Sequence, residues 1–251
     1  MTTPFIVVIP ARLASTRLPR KPLADLGGAP MVVRVAQQAA KSAAVKVIIA
    51  TDSQEINDVC QRFQLEVVQT SDQHLTGTDR LSEVVNQLHL DGNAIVVNVQ
   101  GDEPFIPPDL INLVAESLAS HHDCAIATAA VKIINASEIQ SPHVVKVVLN
   151  ANEQALYFSR AGIPFQRDDG NPSVPYLRHL GIYAYRVHFL KAFAQLAPAP
   201  IEQMEALEQL RALYNGYNIH VKIYHETPPA GIDTPEDLLI AQKLWAQLLQ
   251  K

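Results

Sequence analysis

Residues 5–22 read FIVVIPARLASTRLPRKP, and the two halves of the stretch differ sharply in character. Phe5–Ile9 is a continuous apolar run, the pattern of a strand covered on both faces. Arg12, Arg17, Arg20 and Lys21 then arrive with no acid among them. Open α/β sheets bind ligands in the loops beyond the carboxyl ends of their strands. Four cations in such a loop suit a polyphosphate, because Arg takes phosphate oxygens in pairs and Lys adds a point charge. Pro10, Pro19 and Pro22 stiffen the frame, and Ser15 and Thr16 add hydroxyls. The reading is therefore a strand feeding a triphosphate-holding loop, in preference to a solvated basic turn. The loop is neither a Gly-rich Walker loop nor a G-x-G-x-x-G turn, which argues against a kinase-like ATPase or a dehydrogenase.

Outward from this stretch, apolar runs alternate with amphipathic ones. Val45–Thr51, Glu66–Val68, Ala94–Val99 and Ala125–Val131 are strand candidates. Met31–Ala43, Glu55–Phe63, Asp79–His89 and Pro108–His121 are helix candidates, with Ser53, Thr78 and Pro107-Pro108 as starts. This rhythm predicts an α/β fold, Rossmann-like, with a mainly parallel mixed sheet flanked by helices. After about Pro142 the pattern changes: strands at Val144–Leu149, Leu156–Ser159 and Leu180–Arg186, an irregular Gln166–Pro175, a helix at Glu202–Tyr214, and a strand at Ile219–Tyr224. A last helix, Pro235–Leu249, carries an apolar stripe and begins at Asp233 or Thr234. No linker or repeat interrupts the chain. The expectation is one domain over 1–251, with about 142–217 forming a smaller insertion that serves as substrate lid and subunit contact.

Composition narrows the partners. A net charge of −5 argues against general nucleic-acid binding, which usually needs a basic excess. Local positive charge in a mildly acidic chain points to a small anionic ligand. No stretch approaches a membrane span, and the N-terminus lacks an export signal. Cys60 and Cys124 stand alone, as reduced thiols of a cytoplasmic protein would.

The run VVNV, residues 96–99, leads into Gln100-Gly101-Asp102-Glu103-Pro104. A carboxylate at the end of an inner strand is well placed to coordinate Mg²⁺ bridging phosphates, since Mg²⁺ is often held by one or two carboxylates plus phosphates and waters. Asp102 is the favoured ligand, although Glu103 could take that role and Asp102 could be a turn former. Asp233, before Thr234-Pro235, is either a second metal ligand or a helix cap. Thr78 and Arg80 could meet a nucleotide base or merely open a helix. Arg160 follows an aromatic strand and could bind an acid. His179 and Tyr183 lie two strand periods apart on one face, which fits a ligand site or a hydrogen-bonded core equally. Glu205 and Glu208, three apart, would share a helix face.

Together these segments resemble the 3-deoxy-manno-octulosonate cytidylyltransferases, or CMP-KDO synthetases. The resemblance spans nearly the whole chain: IPARLASTRLPRKP, ATD at 50–52, GTDRL at 77–81, VNVQGDEP at 97–104, ALYFSRAGIP at 155–164, RHLGIYAYR at 178–186, EALEQLR at 205–211, and GIDTPEDL. It implies a homodimeric enzyme that uses CTP and an eight-carbon 3-deoxy-ulosonic acid in lipopolysaccharide synthesis. By position, Arg12, Ser15 and Lys21 would hold the triphosphate; Thr78, Arg80 and Gln100 would recognise the cytidine end. Asp102 and Asp233 would bind Mg²⁺, and Arg160, His179, Tyr183, Glu208 and Gln209 would contact the sugar acid. Arg12, Lys21 and Asp102 would carry the chemistry. A transferase for a related acid (8-amino-KDO or sialic acid) and a non-catalytic nucleotide-binding regulator are the competing readings.

Overall fold

The computed structural model describes residues 3–15, 17–74, 76–168 and 175–248. Thr16, residues 169–174 of the irregular stretch and Leu249 therefore lie outside it. Its strands are β1 Phe5–Ala11, β2 Lys46–Thr51, β3 Glu66–Gln69, β4 Ile95–Asn98, β5 Ile126–Lys132, β6 Lys146–Leu149, β7 Ala155–Ser159, β8 Leu177–Arg186 and β9 Ile219–Ile223. Its helices are α1 Met31–Ala39, α2 Gln54–Arg62, α3 Gly77–Gln87, α4 Pro108–Ser120, α5 Ser137–Gln140, α6 Val187–Phe193, α7 Pro200–Glu205, α8 Gln209–Tyr214 and α9 Pro235–Leu248.

The strands form one mixed sheet in the order β3-β2-β1-β4-β8-β5-β9, with the β6–β7 hairpin joined to β8. Along that path only β8 runs against the rest. The continuous apolar runs have a direct reason. Val7 and Ile9 enter a core on one face with α1, α4 and α9, while Val8 between them enters a second core with α3, α6 and α8. Neither face meets water, so polar alternation has no place to appear.

Local chemistry sets the ends of several helices. Ser53 caps α2, its Oγ accepting from Ile56 N, and Pro108 occupies the first turn of α4, where its missing N–H is no loss. α3 starts earlier than its sequence suggests, because Thr76 rather than Thr78 is the cap and accepts from Asp79 N. α9 is capped by Thr234: its Oγ1 accepts from Asp237 N, and Asp237 Oδ2 accepts from Thr234 N in return. Thr234 thus fills the capping role that the sequence left open for Asp233.

The expected helix at Glu202–Tyr214 is two helices. Ala206 sits in the left-handed region at φ 50°, so Glu205 and Glu208 do not share a helix face. The cause is competition for the backbone. Arg160 Nε takes the Glu205 carbonyl and its Nη2 the Ala206 carbonyl, while the Glu205 carboxylate accepts from Ser159 Oγ and Arg160 N. A second departure is α6, which follows β8 without a break after Arg186 and had no helical reading in the sequence.

A histidine pair lies far from these loops. His220, on β9, is buried, stacks on His121 with ring centroids 3.6 Å apart, and shares a 2.7 Å hydrogen bond with Ser117 Oγ. Burial first, then the neighbouring His121, pushes its pKa down to about 4, partly opposed by Glu153 and Asp123. A histidine depressed in the fold binds fewer protons there than in the open chain. Its penalty is therefore absent above the unfolded value near 6.5 and grows as pH falls from there toward 4. Urea unfolding at pH 7 and pH 5 should show stability falling, with roughly 2 kcal/mol of the fall traceable to His220. The variant His220→Gln should flatten the slope by that amount; an unchanged slope would mean that His220 protonates freely in the fold.

Candidate active site

The loops that leave the carboxyl ends of β1, β2 and β4 open on one side of the sheet, because these strands run parallel in register. Between them lies a cleft of about 730 Å³ lined by the loop after β1, by Thr76, Gly77 and Arg80 of the α3 start, by Gln100–Asp102 and by Asp233. Gly101 is needed for the close approach: a Cβ there would stand 2.8 Å from the Pro10 carbonyl oxygen. β1 and β4 thereby bring their loops together at the point where Asp102 emerges.

At the centre Lys21 Nζ donates to Asp102 Oδ2 at 2.6 Å and to Asp233 Oδ1 at 2.9 Å. These residues are 81 and 212 positions apart in sequence. Burial alone would lower the Lys21 pKa, but the Asp102 charge and the hydrogen bonds to both carboxylates outweigh it and hold it above the ordinary 10.5. Arg17 Nη2 reaches the other Asp233 oxygen at 3.1 Å. The two carboxylate loops are tied directly, since Ile232 N donates to the Asp102 carbonyl at 2.9 Å. Arg12 and Ser15 line the same cleft. Arg12 makes no ion pair among the described residues, which leaves its guanidinium open to an anion.

Arg80 and Gln100 also border the cleft, with different freedom. Arg80 is buried and bound to Thr70 Oγ1 and, at 2.9 Å, to Asp52 Oδ2. Gln100 Nε2 touches the Gly181 carbonyl at 3.4 Å. Thr78 faces a second, smaller cavity of about 140 Å³ together with Tyr183, Glu208 and Gln209. Two polar atoms there, Glu208 Oε1 and Gln209 Nε2, are buried with no hydrogen-bond partner. Burial pushes the Glu208 carboxyl up, and hydrogen bonds to Thr76 and Thr78 pull it part-way back. Thr76 is thus shared: it lines the large cleft and touches Glu208 of the small cavity.

The remaining residues singled out in the sequence stand apart. His179 hydrogen-bonds Thr128 Oγ1 at 3.0 Å and lies in an aromatic row with Phe158 and Tyr183. Burial drives its pKa down to about 3, so its ring is neutral. Arg160 is held by the carbonyls of Pro142, Glu205 and Ala206. Glu103, the alternative to Asp102, lines a separate cavity with Arg178 and His179. Burial and the adjacent Asp102 raise its carboxyl to about 8.

Two cleft residues, and Asp52 bonded to Arg80 beside them, received no role from sequence alone. Arg17 was counted only as charge, and its pairing with Asp233 depends on a fold-back that no local pattern encodes. His74 has no flanking signal. Asp52 had one: like Asp102, it is a carboxylate at the end of an inner parallel strand.

Comparison with known proteins gives this combination a family. A cytidylyltransferase family profile matches residues 6–223. A 3-deoxy-manno-octulosonate cytidylyltransferase of Polynucleobacter necessarius is 60% identical over 97% of this chain and 96% of the relative. One of the same name from Polynucleobacter asymbioticus is 62% identical over 93% of this chain and 92% of the relative. A solved CMP:2-keto-3-deoxy-manno-octonic acid synthetase complexed with CTP superposes with a TM-score of 0.92 at 38% identity, covering 98% of this chain and all of that one. The chain belongs to the cytidylyltransferase family.

Proposed function

We propose that this chain transfers CMP from CTP to the anomeric hydroxyl of 3-deoxy-manno-octulosonate and releases pyrophosphate. The observation that carries this reading is the meeting of Lys21, Asp102 and Asp233 in a cleft that also presents Arg12 and Ser15. Relatives at 60% identity and above bear the name of that reaction.

In this reading the C2 hydroxyl oxygen of the sugar bonds to the α-phosphorus while the bond to the β-bridging oxygen breaks in line with it. The hydroxyl proton passes to solvent. Phosphoryl-type transfer needs positioning and charge stabilisation more than covalent help. Arg12, Ser15 and Lys21 hold the triphosphate, and Arg12 and Lys21 stabilise the charge that grows on its oxygens. Thr78, Arg80 and Gln100 bound the cytidine end or its approach. Asp102 and Asp233 fit Mg²⁺: they are hard oxygen donors, and their oxygens already converge on one cation, the Lys21 ammonium. Bound there with phosphates, Mg²⁺ would supply Lewis-acid stabilisation of the reacting oxygens.

The sugar acid belongs beside the cleft, where Tyr183, Glu208 and Gln209 line one cavity and two buried polar atoms lack partners. His179, from the separate cavity it shares with Glu103, would act as a neutral hydrogen-bonding group, and Arg160 would exchange one backbone carbonyl for the acid. The same proposal includes a single working unit over residues 1–251, with 142–217 as lid and homodimer contact. Its support is that β8 lies between β4 and β5 in the main sheet, while the β6–β7 hairpin stands off that path. No described helix is long and apolar enough to cross a membrane. CTP is an intracellular nucleotide, so the reaction is assigned to the cytoplasm, as a step supplying lipopolysaccharide synthesis.

Pyrophosphate release should be measured with each of four nucleoside triphosphates, magnesium, and a panel of sugar acids. CTP with 3-deoxy-manno-octulosonate is expected to give sustained release. Release only with 8-amino-KDO or sialic acid would move the assignment to that acid. No release with any pair would favour a nucleotide-binding regulator.

A further inference from the structure

The segments that converge at Lys21 converge a second time, outside the cleft lining, on the half-buried Trp245 of α9. Phe105, three residues beyond Asp102, packs on the indole with ring centroids 5.8 Å apart. Gly27, six residues beyond Lys21, lies so close that a Cβ there would stand 2.2 Å from Trp245 Cδ1, and its φ of +63° is itself a glycine conformation. Arg34 lays its guanidinium over the indole at 4.4 Å and binds the carbonyls of Leu26 and Gly27. Gln242, one turn earlier on α9, donates to the Asp25 carbonyl at 2.9 Å. α9 itself begins immediately after Asp233 and Thr234. Lys21, Asp102 and Asp233 therefore each stand on a segment whose other end is seated on one side chain.

We infer that Trp245 is a positioning residue for the metal-binding carboxylates, fixing Asp233 against Asp102 and Lys21 through the seating of α9. The inference rests on the proposed role of Asp102 and Asp233 in holding Mg²⁺. Asp233 stands before the helix, and its own backbone N–H is taken by Asp237 Oδ2 at 3.1 Å. The backbone that carries its carboxylate is thus tied to the first turn of α9. Catalytic groups must be held within roughly 0.5 Å of productive geometry, and a helix loose at its far end cannot do so. Trp245 touches none of the reacting groups, so its loss acts through placement.

Trp245 is the single tryptophan of the chain, so wild-type emission reports on this junction directly. Adding CTP and Mg²⁺ without sugar acid should shift or quench the emission saturably, and CTP with EDTA should do so far less. This readout survives even if the assigned sugar acid is wrong. In Trp245→Ala the Mg²⁺ concentration giving half-maximal pyrophosphate release should rise about tenfold, with kcat at saturating Mg²⁺ changing much less, as for loss of an outer-shell support. Trp245→Phe should recover most of the wild-type Mg²⁺ response. Emission indifferent to Mg²⁺ with CTP would overturn the inference, as would an unchanged Mg²⁺ requirement in Trp245→Ala. Should Trp245→Ala fail to fold, the wild-type emission decides.

Discussion

Replacing Asp102 by Asn is expected to lower kcat about 10³-fold while leaving the folded state nearly intact, a loss of the size seen when one preorganised electrostatic group is removed. The asymmetry follows from the position of the side chain. Its carboxylate is partly exposed and shares the Lys21 ammonium with Asp233, so Lys21 keeps one partner after the change. Ion pairs this accessible to water contribute about 1 kcal/mol or less to stability. The same carboxylate is one of two among the described residues of the cleft lining, so a Mg²⁺ held as proposed would lose half of its protein donors. Pyrophosphate release measured beside urea unfolding separates the two effects. An Asp102→Asn enzyme with activity near wild type would remove Asp102 from the reaction.

Lys146→Met is expected to do the reverse, lowering stability by about 3–5 kcal/mol, the range for removing one partner of a buried charge-assisted set. Lys146 is fully buried in β6, and its ammonium donates to the carbonyls of Ser141, Val144 and Arg160 at 2.8, 2.6 and 2.6 Å. Burial lowers its pKa first, with the nearby Glu205 carboxylate opposing that shift. Methionine matches the stem but leaves all three carbonyls without their donor. These bonds join the turn before β6 to the end of β7, where Arg160 and Glu205 set the break between α7 and α8. The damage should therefore spread toward Glu208 and Gln209. Denaturant unfolding of the variant checks the magnitude; a loss below about 1 kcal/mol would show that water or neighbours replace the ammonium readily.

The parallel half of the fold was legible because its signals are local. Continuous apolar runs mark β1, β2 and β4, and helices between them are bounded by residues such as Ser53 and Pro108 whose chemistry stops a helix anywhere. The C-terminal half was harder for a physical reason. The break at Ala206 depends on Arg160, a residue 46 positions away, and no window around 202–214 contains that competitor. Thr78 was read as the start of α3 although Thr76 caps it, because either hydroxyl suits the local pattern. For the site, the cationic loop and Asp102 could be read from residue type and from their place after inner strands. Asp233 could not be separated from a helix cap until Thr234 was seen to fill that role. Arg17 became visible only through Asp233, a partner that the fold delivers.

Phosphorus relaxation of CTP bound to the enzyme, with Mn²⁺ substituted for Mg²⁺, tests most directly whether the cationic loop and the two carboxylates enclose one reacting centre. The α-phosphorus resonance is expected to relax strongly in the wild-type complex, and to lose most of that effect in Asp102→Asn and in Asp233→Asn. An α-phosphorus that relaxes equally with either carboxylate removed, or that never senses the ion, would contradict the account.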